Sequence, residues 1–153
     1  MKRLLSVFFF LTLFTCSSYG QINYFDLKAN DGVKAKITLD DLQALPSHSF
    51  STATIYTPKS TFLGVKFSDF AKKYNLTGKT VRAFAWDDYS YSMPVDELLK
   101  YNVIIAYKRN GDYMSIDKLG PFAIVYPRDS HPELDQLDIN AKTVWQLKRL
   151  EIK

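Results

Sequence analysis

The stretch KLGPFAIVYPRD, residues 118 to 129, constrains the chain more than any other. Its apolar run from Phe122 to Tyr126 is uninterrupted, stands between Gly120-Pro121 and Pro127, and is too short for an ordinary helix. Such a run reads as a strand covered on both faces, so the fold must supply packed material above and below it. Pro127 has no N–H for a ladder and ends the pairing, which releases Arg128 and Asp129 at a strand terminus. Rigid scaffolds display polar groups at such ends, and both residues are site candidates.

The remaining chain reads mostly as strands. INYFDLKANDGVKAKITLD alternates apolar and polar residues on either side of Asn30-Asp31-Gly32, which suits a hairpin. Thr38 and Asp41 form a capping pattern before a short helix that Pro46 stops, and Ser68 starts a second helix that ends near Asn75 and Gly78. SFSTATIY is rich in β-branched and aromatic residues and predicts a strand entering the loop Thr57 to Thr61. TVRAFAWD sets Val81, Ala83 and Ala85 on one face and Arg82, Phe84 and Trp86 on the other, and both faces read as largely covered. A turn at Asp87-Asp88 leads to YSYSM, and Pro94 opens the helix VDELLKY with acids in its first turn. Asn110-Gly111 between VIIAYK and YMSI is a hairpin signal. Arg128 to Lys142 is polar without clear period and reads as a long surface loop, and VWQLKRLEIK closes the chain as a strand. Strands with about three short helices make an α+β fold rather than a series of βαβ units.

The amino terminus has the order of a secretory signal: Lys2 and Arg3, an apolar stretch from Leu4 to Phe14, then Ser18-Tyr19-Gly20. That stretch is shorter than the ~20 residues of a membrane-spanning helix, and no later window approaches such a length. The expectation is an exported, secreted or periplasmic protein cleaved near Gly20, with residues 21–153 forming one domain and no transmembrane segment. Lipid anchoring at Cys16 is the weaker reading, because threonine is unusual directly before a lipidated cysteine. Cys16 is the only cysteine, so the processed chain carries neither disulfide nor thiol.

Without Lys2 and Arg3, the 20 basic residues fall to 18 and nearly balance the 16 acidic ones, which gives no electrostatic footprint for nucleic acid. No phosphate-cradling glycine loop or nucleophile elbow occurs. His48 and His131 stand apart from any Cys or Glu at ligand spacing, so no metal site is expected. Asp87-Asp88 reads as turn chemistry more than as a carboxylate dyad. Tyr89, Tyr91, Tyr107, Tyr113 and Tyr126 suit a ligand groove, and equally the core of a β-rich domain.

Taken together, TLDDLQALP, FLGVKFSDF, YSYSMPVDELLKYNVIIAYKRNGDYMSIDKLGPFAIVYP and VWQLKRLEI resemble the sulfite-oxidase-type molybdopterin-binding domain. The most telling residues are Tyr89, Ser92 and Pro94; Ala106, Tyr107, Asn110 and Gly111; Gly120, Pro121 and Pro127; and Trp145, Leu147 and Leu150. The resemblance implies a β-rich mixed-sheet or barrel-like fold. In catalytic members a cysteine after the strand equivalent to TATIY gives its thiolate to molybdenum, but this chain has Tyr56-Thr57-Pro58-Lys59 there. The arginine that often follows the glycine turn is also missing, since Pro121-Phe122-Ala123 stands in its place. Tyr89 matches a tyrosine that hydrogen-bonds in the substrate pocket of catalytic relatives.

The resemblance thus implies a retained pocket without catalysis and without a cofactor. Its candidate residues are Tyr56, Tyr89 and Tyr91, with the charged Arg82, Asp88, Arg128 and Asp129. A small molecule or a membrane-associated sensor or redox protein is the expected partner. The alternative is an oxidoreductase subunit holding molybdopterin without a protein thiolate.

Overall fold

The computed structural model describes residues 22–29, 32, 34–135 and 137–153. The amino-terminal segment with Cys16, and Asn30 and Asp31 of the first turn, lie outside them. In chain order the elements are β1 (Tyr24–Lys28), β2 (Lys34–Thr38), α1 (Leu39–Gln43), β3 (Ser47–Thr52), β4 (Ser60–Lys66), α2 (Phe67–Lys73) and β5 (Thr80–Ala85). These are followed by β6 (Ser90–Pro94), α3 (Val95–Lys100), β7 (Ile104–Arg109), β8 (Asp112–Tyr113), β9 (Ala123–Val125), α4 (Leu137–Lys142) and β10 (Leu147–Ile152).

Local chemistry explains several of these boundaries. Thr38 and Asp41 exchange bonds as a complete capping box at the start of α1. Asn110 and Gly111 both have positive φ, 52° and 91°, the geometry that lets a two-residue turn match the twist of β7 and β8. β1 and β2 pair antiparallel as their alternation predicts, with Gly32 at φ 83° between them.

Among the described residues ten strands lie in two sheets, in the order β2-β1-β10-β5-β6 and the order β3-β4-β7-β8, with β9 added along β7. The α+β class and the β-rich mixed-sheet architecture agree with the sequence; among the described residues the strands form two sheets, not a closed barrel. In the first sheet Ala35, Leu27, Leu150, Ala83 and Tyr91 are successive cross-strand partners and form one row facing the core.

β9 is covered on both faces, as its composition requires. Phe122, Ile124 and Tyr126 enter the main core, where Phe122 meets Phe25 edge to face at 5.4 Å. Ala123 and Val125 enter a second cluster with Phe62, Met114 and Trp145. It is an edge strand in its ladder, and its open side is closed by the chain between α4 and β10: Ile124 N donates to Val144 O, and Leu147 N to Phe122 O, both at 2.9 Å. That segment also joins the two sheets, because Leu147 begins β10.

Four expectations need correction. The strand predicted over SFSTATIY ends at Thr52, because Thr54 Oγ1 accepts from Tyr56 N at 3.2 Å and Thr57 N at 3.0 Å and turns the backbone out of the sheet. α2 begins at Phe67, with Ser68 inside it; Phe67 N is satisfied by Val103 O at 2.8 Å rather than by a side-chain cap. The outer face of β5 is only partly covered, as Arg82 is exposed and Phe84 is shielded chiefly by the Arg149 guanidinium 4.1 Å above its ring. The segment from Arg128 to Lys142 holds two single 3₁₀ turns and α4, anchored by buried Leu134 and Ile139, which are too sparse to show a period.

Candidate functional site

A cleft of about 520 Å³ opens where three segments meet: the loop after β3, the β5–β6 turn and the chain from α4 into β10. Ile55 and Tyr56 come from the first, Asp87 and Tyr89 from the second, and Asn140, Ala141, Thr143, Trp145 and Gln146 from the third, with Leu119 closing one wall. Ile55, Tyr56 and Tyr89 are the large apolar side chains left exposed here, at 59%, 63% and 41%. They form a patch that core packing does not require.

The β5–β6 turn places Tyr89. Asp87 Oδ1 accepts from Tyr89 N at 3.1 Å, Asp88 takes a left-handed conformation at φ 67°, and Ala85 N donates to Tyr89 O at 2.8 Å. The phenol then spans the cleft edge and donates to Ala141 O at 2.7 Å. Burial, with Tyr91 and Tyr56 nearby, raises its pKa, so it remains a neutral donor.

Trp145 forms the floor. Its ring stands perpendicular to Tyr56 with 6.4 Å between centroids and is tilted against Phe62 at 5.9 Å. The indole Nε1 is buried and has no hydrogen-bond partner among the described residues. On the adjoining wall Leu119 and Gln146 both occupy the left-handed region, at φ 68° and 50°, without being glycine. They hold one another there: Gln146 N donates to Leu119 O at 3.2 Å and its Nε2 to Ile116 O at 2.7 Å. Gly120 beside them lies so close to the Met114 carbonyl that a Cβ would collide with it. Sparsely populated backbone of this kind concentrates at binding sites.

The structure separates the residues singled out in the sequence. Tyr56 and Tyr89 share the cleft. Tyr91 lies on the same face of β6 but packs against the main core. Asp88 projects into solvent, 3.8 Å from Lys148 Nζ, and its neighbour Asp87 is the carboxylate of the cleft. Arg82 is on the outer face of β5, donating to Ser90 Oγ at 3.0 Å. Arg128 pairs with Asp135 and donates to Asn140 Oδ1 at 3.4 Å, which braces one cleft wall from behind.

Asp129 Oδ1 accepts from Thr52 Oγ1 and Ala53 N, its other oxygen is 3.3 Å from Lys59 Nζ, and these partners secure both ends of the loop bearing Tyr56. The bond from Ala53 N, aided by Thr52 and Lys59 against some burial, holds its carboxyl below the usual carboxylate range. Leu119 and Gln146 were not singled out in the sequence, and Asp87 and Trp145 were read as a turn residue and as part of the closing strand rather than as site residues. An aspartate turn and an aromatic residue before a closing strand look like structure, and no glycine marks the left-handed positions.

Behind the cleft, Glu97 ties α3 to α4 and β9. Its Oε1 accepts from Tyr126 OH and its Oε2 from Lys142 Nζ, both at 2.9 Å, and Lys142 also meets Asp138 at 2.7 Å. Burial pushes the Tyr126 phenol far above its ordinary value, and the neighbouring Glu97 adds to this. Burial opposes the Lys142 charge, but its bonds to Asp138 and Glu97 together outweigh that and raise its pKa. Among the described residues no group of three His, Cys, Asp or Glu side chains could hold a metal ion, and no helix is long and apolar enough to cross a membrane.

No protein-family model matches the chain, and no curated protein matches it. The fold is that of a sulfite-oxidase-like α+β domain, as a solved structure indicates. The sulfane dehydrogenase SoxCD from Paracoccus pantotrophus superposes with a TM-score of 0.64 over 86% of this chain, at 16% identity. This chain covers 38% of that one, and at this identity the likeness is one of fold alone.

Proposed function

We propose that this chain is an exported, non-catalytic protein of the sulfite-oxidase fold that binds a small ligand in the cleft of Tyr56, Tyr89 and Trp145. Its place would be as an accessory to a membrane-associated sensor or redox protein. Export is supported by the charged and then apolar order of the first twenty residues. The observation that carries the reading is the cleft lining: three aromatic side chains, a single carboxylate at Asp87, and no Lys, Arg or His among the described residues.

The same lining does not fit a molybdopterin. The loop after β3 offers Tyr56-Thr57-Pro58-Lys59 where a soft metal prefers a thiolate, and the only cysteine is Cys16. A phosphate-bearing pterin tail prefers fixed cations, whereas the charged side chain in this lining is an aspartate. Tyr89 cannot readily act as a base either, because its phenol is held neutral and its proton is directed to Ala141 O.

The test is a thermal-shift screen of the purified protein against small neutral and charged compounds, repeated with Tyr56→Ala. Tyr56 is largely exposed, so its truncation should leave the unliganded melting temperature nearly unchanged while removing the shift. A shift that survives in Tyr56→Ala would place binding elsewhere, and the absence of any shift would remove the ligand-binding reading.

A further inference from the structure

The cleft's chemistry narrows its ligand, and this step rests on the binding reading above. We infer that the cleft accepts a small organic cation, a methylated ammonium group held against aromatic faces with Asp87 as its counter-ion. The perpendicular rings of Tyr56 and Trp145 make a corner, 6.4 Å between centroids. Tyr89 supplies a third ring, fixed in place because its hydroxyl is tied to Ala141 O. Ring faces carry the negative part of an aromatic quadrupole, and quaternary ammonium groups, which have no N–H to donate, are recognised by such cages.

The charge pattern agrees. Asp87 is the ionisable carboxylate of the lining, and its turn bond to Tyr89 N fixes it beside the third ring. Three cations on neighbouring segments are engaged elsewhere. Lys59 is with Asp129 and Arg128 with Asp135, while Lys148 is over the Trp86 ring at 5.3 Å. Gln146 Nε2 gives one of its two N–H groups to Ile116 O, and the amide carries no charge to offset that of Asp87. An anionic ligand would meet a carboxylate and no cation in the lining, and a purely apolar one would leave that carboxylate facing it without a counter-charge. A volume of about 520 Å³ admits a trimethylammonium group with a short tail.

Such a group could arrive on a free metabolite or on a phosphatidylcholine headgroup. The probes are therefore choline chloride, its uncharged carbon isostere 3,3-dimethylbutan-1-ol, and phosphatidylcholine vesicles. Calorimetric titration of the purified protein should give choline binding at least roughly tenfold tighter than the isostere, the margin expected of a partly desolvated cation on aromatic faces. Tyr56→Leu should weaken choline by roughly three- to tenfold. Asp87→Asn should weaken it several-fold without unfolding, because an asparagine oxygen can still accept from Tyr89 N.

Binding to vesicles but not to free choline, lost in Asp87→Asn, would support the same chemistry with a lipid source. Equal affinity for choline and the isostere, or no binding to either choline or vesicles at millimolar headgroup, overturns the inference. If neutral or anionic compounds then still shift the melting of wild type but not of Tyr56→Ala, the cleft reading stands and only the cation is lost. If nothing shifts it, both fail.

Discussion

Asp129, just beyond β9, holds Ala53, just beyond β3: its Oδ1 accepts the Ala53 N–H at 3.1 Å and so sets where the loop carrying Tyr56 leaves the sheet. A residue at a strand terminus thus shapes the cleft without entering it. Replacing Asp129 by alanine strands Ala53 N, while Thr52 Oγ1 keeps the backbone N of residue 129 and Ala53 O as partners, and should cost about 1–2 kcal/mol, at the low end for a charged acceptor because the group is partly exposed. Urea denaturation measures it. Ligand affinity should fall as well, through the released loop rather than through a lost contact.

The same carboxylate predicts a pH dependence. Its folded pKa is depressed below the ordinary 3.8, so its stabilisation is present above that value and is lost as pH falls through the folded one. Wild type should therefore lose stability relative to Asp129→Asn on acidification below pH 4 or so, with the two converging at the acid end. Parallel urea midpoints across that range decide it.

At the alkaline end the Glu97 network governs. Tyr126 and Lys142 both have raised folded values, so their contribution is complete below the ordinary 10.0 and 10.5 and declines as pH rises beyond them. Tyr126→Phe leaves Glu97 Oε1 without its buried donor and should cost about 1–2 kcal/mol at neutral pH. It should also flatten the fall in stability above pH 10 or so, because the unfolded chain then has one phenol fewer to ionise. Melting curves of both proteins across that range compare the two.

Asp88 supplies a prediction of opposite sign. It is almost fully exposed, sits at φ 67°, and makes only a 3.8 Å approach to Lys148. Asp88→Gly relieves the left-handed strain with little to lose, and should raise stability by about 0.5–1 kcal/mol. It should leave ligand binding unchanged, whereas any substitution at Asp87 should not.

The elements legible in the sequence were those encoded by near neighbours. The Thr38–Asp41 box, the Asn110-Gly111 turn and the covered run Phe122 to Tyr126 each carry their own signal, and each formed. The cleft is harder to read because it joins residues from three distant segments. Tyr89 stood out through family likeness, and Tyr56 through the missing cysteine. Trp145 looked like the start of a closing strand, although Gln146 at φ 50° turns the chain first and leaves the indole between the second core cluster and the cleft. Arg128 and Asp129 were well placed for a site at a strand end. Their charges are instead spent on Asp135, Asn140, Ala53 and Lys59, partners no local pattern reveals. Choosing between Asp87 and Asp88 needed the turn geometry itself.

On the proposed function, this sulfite-oxidase-like fold carries a ligand cleft in place of a redox cofactor. The most direct measurement is the molybdenum and pterin content of the processed protein, purified from a molybdenum-replete host. Metal and pterin should be far below one per chain. Stoichiometric molybdenum co-purifying with its pterin would contradict it and favour the cofactor-bearing subunit.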